Sequence, residues 1–362
     1  MDLYTLSFDN KSQPSITTSS SLLELPSNFH QASLDLSKAL VFLIIPGEFF
    51  YFSIYFLLKG RYVIHNTLTL LALMAIWISP IVTPIKSNSA RSLFNLIVFV
   101  ASMKILDLWA RRHKLPVYKS KEKPSDWLLS LLLMTELRYE SFVPNYVRLP
   151  KGLENMSQTR EICIHAATLT ALHAISWHHP MVLAFEILLS IYVCFSSLHL
   201  TIKYKNSPPH FAPLYTADSL AGFWSEVWHN SFTSPCISLA YNPLRKVLLK
   251  LGLPDKIARS VGMLGAFSLM AIFHMFCVYP VLNSKAVNRI GLFFFINGVA
   301  TLAEAVMWGK KRHWAKAVLA WTFEIIIATW VASSLDVPSN TLSILWNEAR
   351  ISRNTGTYGL AK

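Results

Sequence analysis

Two stretches of the sequence carry residue types suited to acid–base chemistry in an apolar setting. His274 lies in SLMAIFHMFCVYP, a run otherwise free of charged side chains. A charge at the centre of a membrane helix costs about 2.5–3.5 kcal/mol on insertion scales, so a titratable ring there needs a reason. The residues sharing its helical face, Phe267, Met270, Ala271, Cys277 and Val278, offer it no strong side-chain partner. A neutral imidazole so placed suits a general base, and a packing histidine bonded to a neighbouring helix fits the same spacing. The second stretch is DSLAGFWSEVWHNSF at 218–232. Helical from a cap at Asp218, it would set Phe223, Glu226, Val227 and Asn230 on one face, with Trp224 and Trp228 as a neighbouring ridge at i and i+4. His229 and Asn230, with Glu226 orienting one of them, would then supply hydrogen bonds to a reacting group. The structural alternative is a helix held at a membrane surface by its tryptophans.

These residues need elements to hold them, and the composition points to lipid as the main solvent. Hydrophobic residues make up 53% of the chain and charged residues 15%, against about 25% charged in soluble domains. Apolar runs of about 20 residues, the length that crosses roughly 30 Å of hydrocarbon, recur. Candidate spans lie at about 39–58, 63–84, 91–110, 160–178, 181–201, 260–282, 290–308 and 315–334. The expected fold is therefore all-α: a polytopic bundle of about eight transmembrane helices with additional interfacial or re-entrant helices. The segment DWLLSLLLM at 126–134 is too short to cross and belongs to the second kind. Residues 1–38 read as a loosely ordered polar tail, 39–335 as the membrane-embedded domain and 336–362 as a C-terminal tail.

The net charge of +13 reports topology, because Lys and Arg gather in short stretches between apolar runs and form no basic face of the kind that binds nucleic acid. They concentrate after spans one, three, five and seven, which places the long connections 111–159 and 202–259 in the cytosol and both termini on the other side. Asn10 and Asn155 both sit in Asn-x-Ser sequons, and this orientation allows glycosylation only at Asn10. No repeat of fixed period, matching halves or Gly-rich phosphate cradle is present, which disfavours a secondary transporter and an ATP-driven pump.

Other constellations carry less. Cys163, Cys194, Cys236 and Cys277 show no paired spacing and read as packing residues. His165, His173, His178 and His179 lack the clustered spacing of di-iron histidine boxes, so no metal is expected. Lys104 and Asp107, at i and i+3 in span three, would neutralise each other. His30 and Asp35 match a His-x4-Asp spacing by chance, in the polar tail.

Taken together, the aromatic pair, acidic residue, Trp and His-Asn of FWSEVWHN, followed 45 residues later by a His in an apolar helix, resemble the membrane-bound O-acyltransferase superfamily. The preceding SPPHFAPLYTADSL at 207–220 is similar to the wax-synthase-like branch, which includes fungal O-acetyltransferases of terpenoids and meroterpenoids. The resemblance implies that His274 is the catalytic histidine and that His229 or Asn230 is its polar partner. Phe223, Trp224 and Trp228 would contact substrate. FFFINGVATLAEAVMW at 293–308 resembles the family's next helix, with Asn297 and Glu304 on one face as further substrate-binding candidates.

The function so implied is transfer of an acetyl group from acetyl-CoA to a terpenoid hydroxyl by a multi-pass enzyme of the endoplasmic reticulum. The co-substrate is acetyl-CoA or another acyl-CoA, the acceptor a lipophilic alcohol, and no permanent cofactor is called for. Arg245, Lys246 and Lys250, in NPLRKVLLK, would meet CoA phosphates or anionic lipid headgroups. A wax synthase using long-chain acyl-CoA is the alternative within the class, and a membrane transporter the alternative outside it.

Overall fold

The structure is a computed structural model and describes residues 24–148, 156–174, 179–202, 208–309 and 313–335. The C-terminal tail, Asn10, Asn155 and His178 lie outside the described residues. In chain order the first helices are α1 (Glu24–Phe42), α2 (Ile44–Leu58), α3 (Tyr62–Val82) and α4 (Asn88–Ala110). They are followed by a two-residue strand β1 (Val117–Tyr118), helix α5 (Asp126–Thr135) and β2 (Phe142–Val143), the strands pairing antiparallel with Val117 opposite Val143. Helices α6 (Gln158–Ala174) and α7 (Pro180–Ile202) form a pair. After a broken stretch come α10 (Asn242–Lys250), α11 (Asp255–Val278), α12 (Ser284–Trp308) and α13 (Trp314–Ala332). The broken stretch holds two single turns, α8 (Leu220–Gly222) and α9 (Thr233–Pro235), each running into a π-helical turn, Phe223–Val227 and Cys236–Tyr241 respectively.

Seven described helices are long and apolar enough to cross a membrane, at Gln31–Leu58, Tyr62–Val82, Asn88–Ala110, Pro180–Ile202, Asp255–Val278, Ser284–Trp308 and Trp314–Ala332. The architecture is thus an all-α polytopic membrane bundle. The expected fourth span is α6, 17 residues in its described extent, whose first turns bury Gln158, Glu161 and His165. That polar load lowers its hydropathy below that of the other seven.

Residues 24–38 correct the expected disorder of the N-terminal tail. They are helical, and Asp35 is fully buried, accepting from the Lys86 and Ser87 backbone N–H groups at 2.7 and 2.8 Å and from Gln31 at 2.7 Å. A carboxylate seated on free N–H groups ahead of a helix is well compensated, so Asp35 is a tertiary clamp between α1 and the start of α4. Lys104 and Asp107 also depart from the expected pairing. Lys104 donates to the Glu136 carbonyl at 2.6 Å and lies 3.6 Å over the Tyr139 ring. Asp107 pairs with Arg111 at 2.8 Å and accepts from Tyr139, Ser234 and Ser238. Its neighbours in space, unseen in the local sequence, outcompete the i+3 partner. Cys163 and Cys194 are exposed on the helix surfaces, whereas Cys277 is buried.

The α11/α12 hairpin is the frame of the site, and its closeness rests on glycine. A Cβ on Gly298 would fall 2.9 Å from Phe267 Cβ, and one on Gly262 would fall 2.9 Å from the Tyr241 carbonyl, so only hydrogen at those positions lets the segments meet.

Candidate active site

The segment before α11 is held in place by polar contacts reaching in from the bundle. Ser219, one residue after the expected cap, accepts from Gly222 N at 2.9 Å, and Glu304 of α12 accepts from Leu220 N at 2.8 Å and Ala221 N at 3.3 Å. A helix start leaves such N–H groups without partners, and here a carboxylate from another helix fills the need. Glu304 is itself paired with Lys316 at 3.4 Å, both being 6% exposed. The chain then makes its π turn, which closes with Trp228 N bonded to Phe223 O at 2.7 Å, and leaves the helix at Trp228.

This early exit breaks the expected helical face. Phe223 is buried and stacked on Trp228 at 5.7 Å, against the α6/α7 side of the bundle. Trp224 points the other way, into a cage of Phe267, Phe293 and Phe294, and its indole N–H is shared by Asn297 Oδ1 and Glu324 Oε1, each at 3.1 Å. Buried indole N–H groups seek such acceptors.

His274 Nδ1 lies 2.8 Å from the Met270 carbonyl oxygen, and the ring stacks on Phe294 at 4.0 Å. A carbonyl only accepts, so Nδ1 carries the proton and Nε2 of the neutral ring holds the lone pair. The backbone one turn back is thus the partner that the side chains on its face do not supply. His229 sits among Phe211, Trp228 and Phe232, with ring centroids at 5.4–5.5 Å, and its Nδ1 is buried with no hydrogen-bond partner. Burial, then the nearby His274 and Arg138, push its pKa down to about 3, so it is neutral at physiological pH.

Both imidazoles line one cavity of about 350 Å³, together with Trp224, Trp228, Thr301 and Arg148. Its remaining wall is mainly apolar. Asn230 does not reach the cavity: it is 3% exposed, donates to the Arg148 carbonyl at 3.2 Å and accepts from Arg138 at 3.5 Å. Glu226, half-buried on the π turn, stands outside the lining, as do Phe223, Asn297 and Glu304. Arg245 is engaged by Asp255 through Nε at 3.0 Å and Nη2 at 2.8 Å, while Lys246 and Lys250 are exposed on α10 and do not line the cavity.

Four residues with structural or site roles escaped the sequence reading. Arg138 is wholly buried and donates to the Pro208 and Pro209 carbonyls at 2.6 and 2.7 Å, tying the Pro-Pro-His segment to Asn230. Glu324 is a carboxylate inside an apolar span, the same signal that singles out His274. Arg148 brings an exposed cation to the cavity edge, and Thr301 brings a hydroxyl to its wall; neither has a local sequence signature. Among the described residues no group of three or more His, Cys, Asp or Glu side chains could hold a metal ion.

The chain is 25% identical over 189 residues, 51% of each chain, to a probable long-chain-alcohol O-fatty-acyltransferase 7 of Arabidopsis thaliana. It is 27% identical over 148 residues to the probable long-chain-alcohol O-fatty-acyltransferase 9 of the same plant, covering 39% of this chain and 43% of that relative. The chain thus spans about half the length of the curated relatives it matches, or less. No solved structure matches it. Residues 207–296, the stretch that supplies both imidazoles and most of the cavity wall, match the model of the membrane bound O-acyl transferase family.

Proposed function

We propose that the chain is a membrane O-acyltransferase that moves an acyl group from an acyl-CoA thioester to the hydroxyl of a lipophilic alcohol. The observation that carries this reading is the 2.8 Å contact of His274 Nδ1 with the Met270 carbonyl oxygen on the wall of an apolar cavity, which assigns the ring proton to Nδ1 and the lone pair to Nε2. In the proposed step Nε2 removes the acceptor hydroxyl proton as the oxygen attacks the thioester carbonyl carbon. His229, kept neutral by burial, retains a ring N–H to donate to the developing oxyanion. The tetrahedral centre then collapses, the C–S bond breaks, and the departing CoA thiolate takes the proton from His274. No covalent enzyme intermediate is required, and dry walls favour the alcohol over water as acceptor. Asn297, Glu324 and Glu304 act from behind, holding Trp224 and the start of the π turn. Arg148 is the cation placed to meet the polyanionic head of the donor.

The relatives' names, long-chain-alcohol O-fatty-acyltransferases, support a fatty acyl donor and a long-chain alcohol. The second reading, acetyl-CoA with a terpenoid alcohol, is favoured by the cavity volume of about 350 Å³, near the lower end of the usual range of about 300–1,000 Å³ for ligand sites. That space suits a short acyl group beside one compact acceptor. Membranes containing the protein, offered acetyl-CoA and palmitoyl-CoA in competition with a fatty alcohol and a hydroxylated terpenoid, distinguish the two by product mass. His274→Ala is expected to lower turnover by about 10²- to 10⁴-fold at equal inserted protein, the range of a general base. Undiminished turnover in that variant overturns the mechanism.

A further inference from the structure

Thr301 is 5% exposed, lines the cavity, and its Oγ1 has no hydrogen-bond partner. Thr67, Thr168, Thr170 and Thr201 each donate to the carbonyl four residues back at 2.9–3.1 Å, whereas Thr301 and Thr329 have buried hydroxyls without a partner, and of these two only Thr301 lines the cavity. A buried hydroxyl without a partner is costly, and a ligand that supplies one recovers that cost.

Its position says which ligand. Phe294, stacked on His274, and Thr301 lie seven residues apart on α12, two turns on one face, so the hydroxyl stands about 10 Å along the helix from the imidazole. On α11 the lining runs from His274 back through Met270 and Phe267 to Met263, towards the helix start and α10. That end of the hairpin carries exposed cations, Lys246, Lys250 and Lys256. On the orientation given by the Lys and Arg distribution it is also the cytosolic end. An acyl thioester whose polyanionic head stays at the basic end must thread its linker past Thr301 to reach His274.

Building on the acyltransferase reading, we propose that Thr301 is a binding residue for the donor's pantetheine arm, its hydroxyl hydrogen-bonding an amide of that otherwise apolar linker. Fatty and acetyl donors carry the same arm, so the contact serves any acyl-CoA and sets preference for the CoA carrier over other thioesters.

The test uses the full chain in lipid nanodiscs with one acceptor and two donors: an acyl-CoA and the same acyl group on a simple alkanethiol that has no amides. An ordinary neutral hydrogen bond supports a preference of up to about tenfold. Thr301→Val is therefore expected to cut the ratio of kcat/KM for acyl-CoA over the alkyl thioester about tenfold, and Thr301→Ser to restore it. Contacts to the phosphates cancel in that comparison because both proteins keep them. Pantetheine, which has the amides without the nucleotide, is expected to inhibit Thr301→Val about tenfold less well than wild type; Thr301→Ala serves if valine does not accumulate. An unchanged ratio and unchanged pantetheine inhibition overturn the inference, leaving the acyltransferase reading intact. So does a variant that instead alters the choice between a monoalcohol and a matched diol, which would assign the hydroxyl to the acceptor. Absence of acyl transfer by wild type overturns both.

Discussion

Two histidines meet at the cavity in different states of constraint. His274 is oriented by a backbone carbonyl and a stacked phenyl ring, and His229 is enclosed by aromatic rings with one nitrogen unsatisfied. His229 and His210 are both pushed down by burial, from 6.5 to about 3 and about 2. Between those folded values and 6.5 the unfolded chain binds more protons, so stability falls as pH drops through that window. The thermal midpoint in detergent is expected to be lower at pH 5.5 than at pH 7.5, and His210→Asn is expected to flatten the difference. A midpoint with the same pH slope in that variant contradicts the assignment. At this scale the sequence was informative about His274, because an imidazole in an apolar run stands out by composition alone. It left His229 and Asn230 unresolved, since the choice depends on where the chain leaves the helix. Glu324 was visible by the same rule as His274, yet its partner, the Trp224 indole, lies 100 residues away.

The elements around the site are irregular where they matter most. An α-helical period of 3.6 extrapolated across 218–232 puts Asn230 with Phe223 and Glu226; the π turn, with its wider repeat, followed by an extended Trp228, turns His229 into the cavity and Asn230 into the protein. Short-range propensity does not announce a π turn, because the strain is offset by contacts from other helices. Glu304 is the clearest of these, anchoring the first turn through two backbone N–H groups and neutralising Lys316. Its face was legible, while its role as a cap for a distant segment was not. Glu304→Ala leaves a buried ammonium without its carboxylate and two N–H groups without an acceptor, a loss of about 3–5 kcal/mol on the pattern of broken buried pairs. The monodisperse fraction surviving heat, read by size-exclusion chromatography, should fall sharply for Glu304→Ala and less for Glu304→Gln. Equal heat resistance of Glu304→Ala and wild type refutes the capping role.

At the scale of the whole molecule, the number of crossings follows from contacts more firmly than from hydropathy. Arg138 reaches Pro208 and Pro209, and Arg111 reaches the Ser234 carbonyl, so the connections 111–148 and 208–241 lie together at one end of the bundle. Helix α7 leads into the second of these from the opposite end, so the chain must travel the length of the bundle between Arg148 and Pro180. Helix α6 does so: Gln158 bonds to Ser196 and His199 near the end of α7, while His173 bonds to Glu186 near its start. Its 17 described residues rise about 25 Å, enough for most of the hydrocarbon depth, and its buried polar groups face α7 and Tyr215 instead of lipid. Eight traverses therefore stand beside seven helices that meet the length and hydropathy criteria. An even count puts the chain before the first traverse and the chain after the last on the same side of the membrane. A glycosylation acceptor introduced after residue 335 should consequently be modified in the same preparation as the native sequon at Asn10, with Asn10→Gln removing only its own glycan and Asn155→Gln changing nothing. Modification of Asn10 but not of the engineered site would mean that α6 turns back within the membrane, and modification of Asn155 would reverse the orientation of every connection.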